Sequence, residues 1–479
     1  MRIAIVSYHF TPSTMVAALR ARGLAKYLGR AGHSVTVVTS EPNPETSAEW
    51  EVVTVPGRTP SSRMREALGV SQHHTVVDAL SKRGPSRWLA GILKVARRAV
   101  QELVFWPDEA IGWSRKVRGW LSERISAGEI DVVITTSPPA SVHFTMLSAD
   151  RRDVIWIADF RDLWTIAHHY PLSRLRRAID RRSDARIFRE ADAVTVATEG
   201  FAKTALAAFP DTRISVVYNG YDPEMFCAPV CTAPNQKLTL VHAGSLYGGR
   251  VDPSVLFAAI ARLVASGRIR RDRLQVDFFS ANEAWLERRI AEHGIGDVAT
   301  VHGTQPRERV LEAYSAADVL LLIQWDTPGE LAVMPAKIFE YLASRRRILA
   351  VGSPHGGEVD RLLEATGAGS VVRDVDATSE AIADLYDEFD RTGLVAPPAD
   401  EAALEVWTQV AMAQAMQDAI DAADAARRMS RGRRGRRAMP ADGYPAHDSP
   451  STARPGRDRP SSHEIARLTV PTNSHPPAI

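Results

Sequence analysis

Cysteine is almost missing from this 479-residue chain, which has only Cys227 and Cys231. Two thiols cannot build a disulfide framework, and their spacing lacks the second pair or the histidines of a zinc site. Nowhere do about 18 apolar residues run uninterrupted, the length needed to span a bilayer. The opening "MRIAIVSY" breaks at once into "HFTPS", unlike a leader peptide, so the chain is expected to stay in the cytoplasm. After that first strand-like run no glycine occurs until Gly23. A dinucleotide dehydrogenase needs a Gly-x-Gly-x-x-Gly turn there so that the backbone can approach a pyrophosphate, and a nicotinamide enzyme is disfavoured. No phosphate-binding loop ending in Gly-Lys-Ser/Thr is present either, which leaves nucleoside triphosphate hydrolysis without machinery.

What is present is enough for two cores: 45% of the residues are hydrophobic and 24% charged. The net charge of +2 conceals a split. From Arg427 onward there are 11 Arg against 4 Asp or Glu, a net of +7, so residues 1–426 carry −5. The stretch 427–479 is rich in Arg, Pro and Ser and poor in large apolar residues, and is predicted to be disordered because it has little to bury. With no interleaved aromatics, it gives no reason to expect nucleic acid as a partner.

Short β-branched runs alternate with helical patterns along the body, the signature of parallel sheets with crossover helices. The first series is "RIAIVSY", "HSVTVVTS", "EVVTVPG", "DVVITTS", "DVIWIADF", "AVTVATE" and "ISVVYNG". A second series, "KLTLVHAG", "LQVDFFS", "VATVHG", "DVLLLIQ", "RILAVG" and "GSVVRD", follows a Pro-bearing break. The expected organisation is an α/β domain at 1–221, a linker at 222–236, a second α/β domain at 237–400, a helical segment at 401–426 and the tail. In open sheets ligands sit beyond the carboxyl ends of the strands, so the cleft between two such sheets is the natural site.

The ordered motifs "YHFTPSTMVAALRARGLAKYLGRAGHSVTVVTS", "ADFRDLW", "ADAVTVATEG", "VVYNGYDPEMF", "LVHAGSLYGGR", "ADVLLLI" and "PAKIFEYLASRRRILAVG" carry a resemblance. From Met1 to about Ala426 the chain resembles glycosyltransferase family 4, in particular its bacterial branch that builds surface polysaccharides and glycoconjugates. The resemblance implies the GT-B fold, two Rossmann-like domains with the nucleotide-sugar donor held mainly by the second. It further implies a retaining transfer to a hydroxyl acceptor without a bound metal, the co-substrate being a UDP-, GDP- or dTDP-sugar.

Site residues follow from this resemblance and from local chemistry. Glu340 matches the glutamate that grips the ribose hydroxyls, and Lys337 stands where its ammonium reaches a phosphate; the same two residues at i, i+3 also suit a plain ion pair. Pro335 is read as opening a helix whose first amides favour a phosphate. Gly244 matches the glycine after the first strand of the second domain, Ser245 occupies the family's arginine position, and Arg250 stands near its lysine position. The family's first glutamate, eight residues before Glu340, falls on Ala332, with Glu330 two residues earlier.

On the acceptor side, Asp159, Arg161 and Asp162 close an apolar strand, which is costly for charge unless it is paired or used. Asp162 is the candidate base or positioner for the acceptor hydroxyl, and Arg161 the candidate for a phosphate or a carboxylate. A buried Asp–Arg pair closing the strand end is the alternative. Family members often carry a histidine there, whereas His168 and His169 come later; His143 is read as an ordinary helix residue. Ser13 and Thr14, in the loop after strand one, either contact the donor phosphates or cap the next helix. Two basic stretches, Lys82 to Trp106 and "SRLRRAIDRRSDARIFRE", suit either a solvated helix face or an anionic membrane surface near a lipid-linked acceptor. Ala332 and Ser245 motivate a second functional reading, a catalytically weak sugar-nucleotide-binding accessory protein. A sugar-nucleotide epimerase of the same fold is a third.

Overall fold

The computed structural model describes residues 1–479 except 14–15, 58, 60–104, 148, 152, 167–172, 225–234, 247–250, 282, 325–330, 398–400 and 438–479. Thr14, Arg250, Glu330, His168, His169, both cysteines and most of the Lys82–Trp106 stretch lie outside the described residues. Met1–Met429 form one compact unit.

All thirteen strand-like runs of the sequence are strands. The first seven are β1 (Arg2–Ser7), β2 (Ser34–Thr39), β3 (Glu51–Thr54), β4 (Val132–Ser137), β5 (Ile155–Phe160), β6 (Ala193–Val196) and β7 (Ile214–Val216). They form one parallel sheet in the order β3-β2-β1-β4-β5-β6-β7. The remaining six are β8 (Leu238–Ala243), β9 (Leu274–Phe279), β10 (Ala299–Val301), β11 (Val319–Ile323), β12 (Arg347–Val351) and β13 (Gly369–Val372). Their sheet is also parallel, in the order β10-β9-β8-β11-β12-β13. Every residue of β4, β5 and β11 is buried, the reason these runs show no polar alternation: helices cover both faces.

Around the first sheet lie α1 (Val16–Arg30), α2 (Ile111–Ser126), α3 (Arg174–Glu190) and α4 (Glu199–Ala208). The second carries α5 (Ser254–Ala265), α6 (Glu283–Glu292), α7 (Arg307–Ala316), α8 (Lys337–Ser344), α9 (Glu358–Thr366) and α10 (Val375–Thr392), with α11 (Glu401–Glu405) and α12 (Gln409–Arg437) following. The chain then returns: Gln409 N–H donates to Tyr221 O at 2.8 Å and Tyr221 N–H to Trp407 O at 3.0 Å. Met412, Met416 and Ile420 of α12 join Ile3, Ile5, Leu24 and Leu28 in one core, so this helix covers a face of the first sheet. Helix α12 also continues past Arg427, where the sequence reading began a disordered tail. The correction has a local cause. Arginine favours helix, and Arg427 is anchored by donating to the carbonyls of Val154 and Arg151.

In both sheets the strand order reverses beside the first strand, between β1 and β4 and between β8 and β11. Such switch points open a crevice at the carboxyl ends of the strands, where loops are free to hold a ligand.

Candidate functional site

Strand β8 delivers Gly244 to the second switch point, and α8 delivers Lys337 and Glu340. Gly244 has φ +126, a conformation open mainly to glycine, and a Cβ there would lie 2.7 Å from Lys337 Nζ. The glycine is therefore required twice, by its backbone and by the ammonium packed against it. Burial pushes the Lys337 ammonium down to about 8, with the Glu340 carboxylate opposing. Beneath it His242 is fully buried, its Nδ1–H donating to Leu321 O at 3.0 Å, and burial with the nearby Lys337 charge drives its pKa to about 3. A neutral imidazole under a half-desolvated ammonium leaves that positive charge without compensation from below.

Glu340 Oε1 is 2.7 Å from Arg307 Nη2 at the start of α7, while its other oxygen has no hydrogen-bond partner among the described residues. The expected intrahelical pair with Lys337 is thus replaced by a pair between two helices. Helix α8 begins at Lys337 rather than at Pro335, with Ala336 as its cap. Its opening amides are partly used: Ile338 N–H donates to Pro335 O at 3.1 Å and Phe339 N–H to Ala336 O at 3.3 Å. The helix terminus therefore offers fewer open donors than the sequence reading implied, and more of the cationic character rests on Lys337. Ser245 follows Gly244 in the same turn.

Across the cleft, the buried Asp–Arg pair at the end of β5 exists, but its arginine is Arg20 of α1. Arg20 Nε and Nη2 donate to Asp159 at 2.9 and 2.8 Å, and Thr136 and Thr195 hydroxyls donate to the same carboxylate at 2.7 Å each. Burial alone would raise this carboxyl; Arg20 and the hydroxyls outweigh it and hold it below the ordinary carboxylate range. Asp159 is consumed by structure. Arg161 and Asp162, the next residues toward the cleft, are 3.3 Å apart, with the Asp162 side chain 58% exposed. Arg161 is mostly buried, burial holds its guanidinium below the usual value, and its Nη1 has no hydrogen-bond partner among the described residues. An orphaned buried N–H beside an exposed carboxylate is an arrangement an incoming oxyanion would satisfy. Ser13 is buried in the β1–α1 loop, its amide bonded to Phe10 O at 3.1 Å. His143 lies in a 3₁₀ turn, stacked on Phe160 at 4.3 Å and sharing Thr135 Oγ1 at 2.8 Å, a core role.

The two sheets meet where β6 ends. Thr198 Oγ1 donates to Ala332 O at 2.8 Å, Gly200 N–H donates to Glu358 Oε1 at 2.7 Å, and a Cβ on Gly200 would lie 2.6 Å from Ala332 Cβ. Phe160 of β5 registers with Val196 of β6, so the Arg161–Asp162 turn and this crossing leave the carboxyl ends of neighbouring strands. Ala332 and Gly200 of the other sheet's α4 are thus in close contact. Arg20, Arg307, Gly200 and Glu358 were not singled out by sequence reading. Pro306 before Arg307 is a helix-start signal and was the one local hint.

Residues 17–220, which include Arg20, Asp159, Arg161 and Asp162, match the glycosyl transferase 4-like domain. The carboxyl-terminal half enters through structure: sucrose-phosphate synthase from Thermosynechococcus elongatus superposes with a TM-score of 0.60 at 16% identity, covering 89% of this chain and 99% of that one. The Anabaena protein HepE, solved in complex with UDP, gives 0.54 at 13% identity, with 88% and 100% covered. An alpha,alpha-trehalose-phosphate synthase (UDP-forming) from Burkholderia xenovorans, in complex with glucose-6-phosphate, gives 0.55 at 11%, with 88% and 100% covered. No curated protein matches the chain. The chain thus carries a glycosyl transferase 4-like domain within the GT-B glycosyltransferase fold.

Proposed function

We propose that this chain transfers a sugar from a nucleoside diphosphate sugar to a hydroxyl acceptor with retention of configuration, in polysaccharide or glycoconjugate synthesis. The observation that carries the reading is the under-compensated Lys337 ammonium against Gly244, with Glu340 one helical turn away. A nucleoside diphosphate presents that combination of needs: cations for the phosphates and a carboxylate for the ribose hydroxyls. Glu340 takes the ribose with the oxygen that Arg307 leaves open. Lys337 takes the diphosphate and stabilises the charge that grows on it as the sugar departs. Gly244 lets the backbone approach, while Ser245 and Ser13 line the phosphate side; Thr14 and Arg250 belong to the same proposal.

Arg161 offers its orphaned N–H to the leaving phosphate, and Asp162 receives or positions the acceptor hydroxyl. Uridine is the favoured base, since HepE was solved with UDP and the trehalose-phosphate synthase is UDP-forming.

The test is a panel of UDP-, GDP- and dTDP-sugars followed by thermal shift and donor consumption, with Glu340→Ala alongside. Stabilisation by one donor, lost roughly tenfold or more in the variant, is the expected result. No stabilisation by any nucleotide sugar overturns the reading. Binding without consumption, even with candidate acceptors supplied, replaces it with the accessory function.

A further inference from the structure

Two cations compete for Glu340. Lys337 stands one turn earlier on the same helix, and Arg307 opens α7; the fold gives the glutamate to Arg307, with Nη2 2.7 Å from Oε1. The frame behind that pair is well fixed. Arg307 and Tyr314 are two turns apart and lie on one face of α7. Tyr314 packs edge-on against Tyr341, the residue after Glu340 on α8, with ring centroids 5.1 Å apart. Both tyrosines are buried, and the Tyr341 hydroxyl donates to Leu321 O of β11 at 3.0 Å. The loop leading into α7 is pinned as well: His302 N–H donates to Phe278 O at 2.8 Å, and Gln305 Nε2 to His302 O at 2.7 Å. These contacts set α7 against α8 so that the guanidinium engages one carboxylate oxygen of Glu340, the other having no hydrogen-bond partner among the described residues.

We propose that Arg307 is a positioning residue that keeps the two charges of α8 apart and thereby selects ribonucleotides over deoxyribonucleotides, a role that rests on the nucleoside diphosphate reading of this site. By holding Glu340, Arg307 leaves the Lys337 ammonium to the diphosphate. Were the two residues of α8 to pair with each other, each would be neutralised where the ligand needs it. Arg307 also leaves Glu340 a single open oxygen, whose two lone pairs match the two hydroxyls of a ribose cis-diol. A 2′-deoxyribose satisfies only one of them and leaves the other bare beside a mostly buried carboxylate. The donor class that follows is a UDP- or GDP-sugar and not a dTDP-sugar. The other titratable groups around the pair do not compete: burial raises the Tyr314 and Tyr341 phenols far above neutral pH, and His242 beneath Lys337 is neutral.

The experiment titrates the full chain calorimetrically with UDP, GDP and their 2′-deoxy forms across about pH 6–10. The wild type is expected to prefer the ribo form by roughly tenfold or more, with affinity declining above about pH 8. Arg307→Met keeps bulk and removes charge; it binds the ribo form roughly tenfold more weakly and brings the two forms within about twofold of each other. Its decline moves to higher pH, because Lys337, now paired with Glu340, holds its proton longer. Arg307→Lys restores most of the preference. Glu340→Ala is the control for the site itself. If Glu340→Ala loses the ribo preference while Arg307→Met keeps it together with the wild-type pH profile, the site stands and the role of Arg307 is overturned. If Glu340→Ala binds as the wild type does, or the wild type binds neither form, the nucleotide reading fails and takes this role with it. Equal binding of the two forms by the wild type overturns the ribonucleotide selection. Should circular dichroism show Arg307→Met unfolded, Arg307→Gln carries the same test.

Discussion

The carboxyl ends of β5 and β8 each carry charge into a buried place, and they resolve it in opposite ways. At β5, Asp159 meets a bidentate arginine and two hydroxyls, and every lone pair has a donor. At β8, the Lys337 ammonium packs on Gly244 over a neutral histidine, and among the described residues the carboxylate that helps it, Glu340, is one that Arg307 already holds. Complete pairing makes the first a structural element. Incomplete pairing leaves the second with a charge that gains by meeting an anion. The turn at Arg161 and Asp162 lies between these extremes: two residues beyond Asp159, with the Arg161 Nη1 unpartnered among the described residues.

The largest way to break this contrast is Asp159→Ala. It strands Arg20 in the core, and a loss on the order of 3–5 kcal/mol is expected in denaturant unfolding. The Asp159 carboxyl is held below its unfolded value, so its contribution is complete above the ordinary carboxylate range. It is lost as pH falls through the lower folded value, which acid titration of the wild type will show as instability absent from an Asp159→Asn comparison.

Lys337→Met should do the reverse. Unfolding free energy stays level or rises, because a desolvated ammonium is removed, while nucleotide affinity falls by about 1.5–3 kcal/mol in calorimetric titration. A destabilised Lys337→Met protein would erase the distinction between the two strand ends. Next in size, Gly200→Val forces a side chain against Ala332 and the Glu358 carboxylate. A cost of about 1–3 kcal/mol is expected in thermal unfolding, with Gly200→Ala milder.

The smallest and sharpest effect is in the pH profile of nucleotide binding. Lys337 titrates near 8 in the free chain, and a bound diphosphate raises it, so affinity is full below pH 8 and declines above it, by at most about tenfold per pH unit. A slope that persists in Lys337→Met assigns the titration to another group.

Much of this was legible in the residues. Buried parallel strands advertise themselves as short β-branched runs, because both faces are covered and no polar alternation is needed; "DVLLLIQ" and "DVVITTS" are examples, and all thirteen runs became strands. Motif order singled out Glu340 and Gly244, and the fold sets Gly244 against Lys337 and Glu340 against Arg307. Lys337 was legible by type but not by partner: its i, i+3 spacing suggested Glu340, yet the glutamate turned to Arg307. Ala332 stands where the resemblance expects a glutamate, and its contact with Gly200, 132 residues away, was not legible at all.

By itself the sequence determined the strand and helix periods, the break between two sheets and the identity of the charged residues at the strand ends. Those are local properties, encoded within one or two turns of chain. Which charge meets which was decided only by the tertiary structure. Arg20 and Asp159 are 139 residues apart and Gly200 and Glu358 158 apart, so no local pattern ties them. The sheet order and the return of α12 onto the first sheet bring them together, and the same topology leaves Lys337 with its charge to spare.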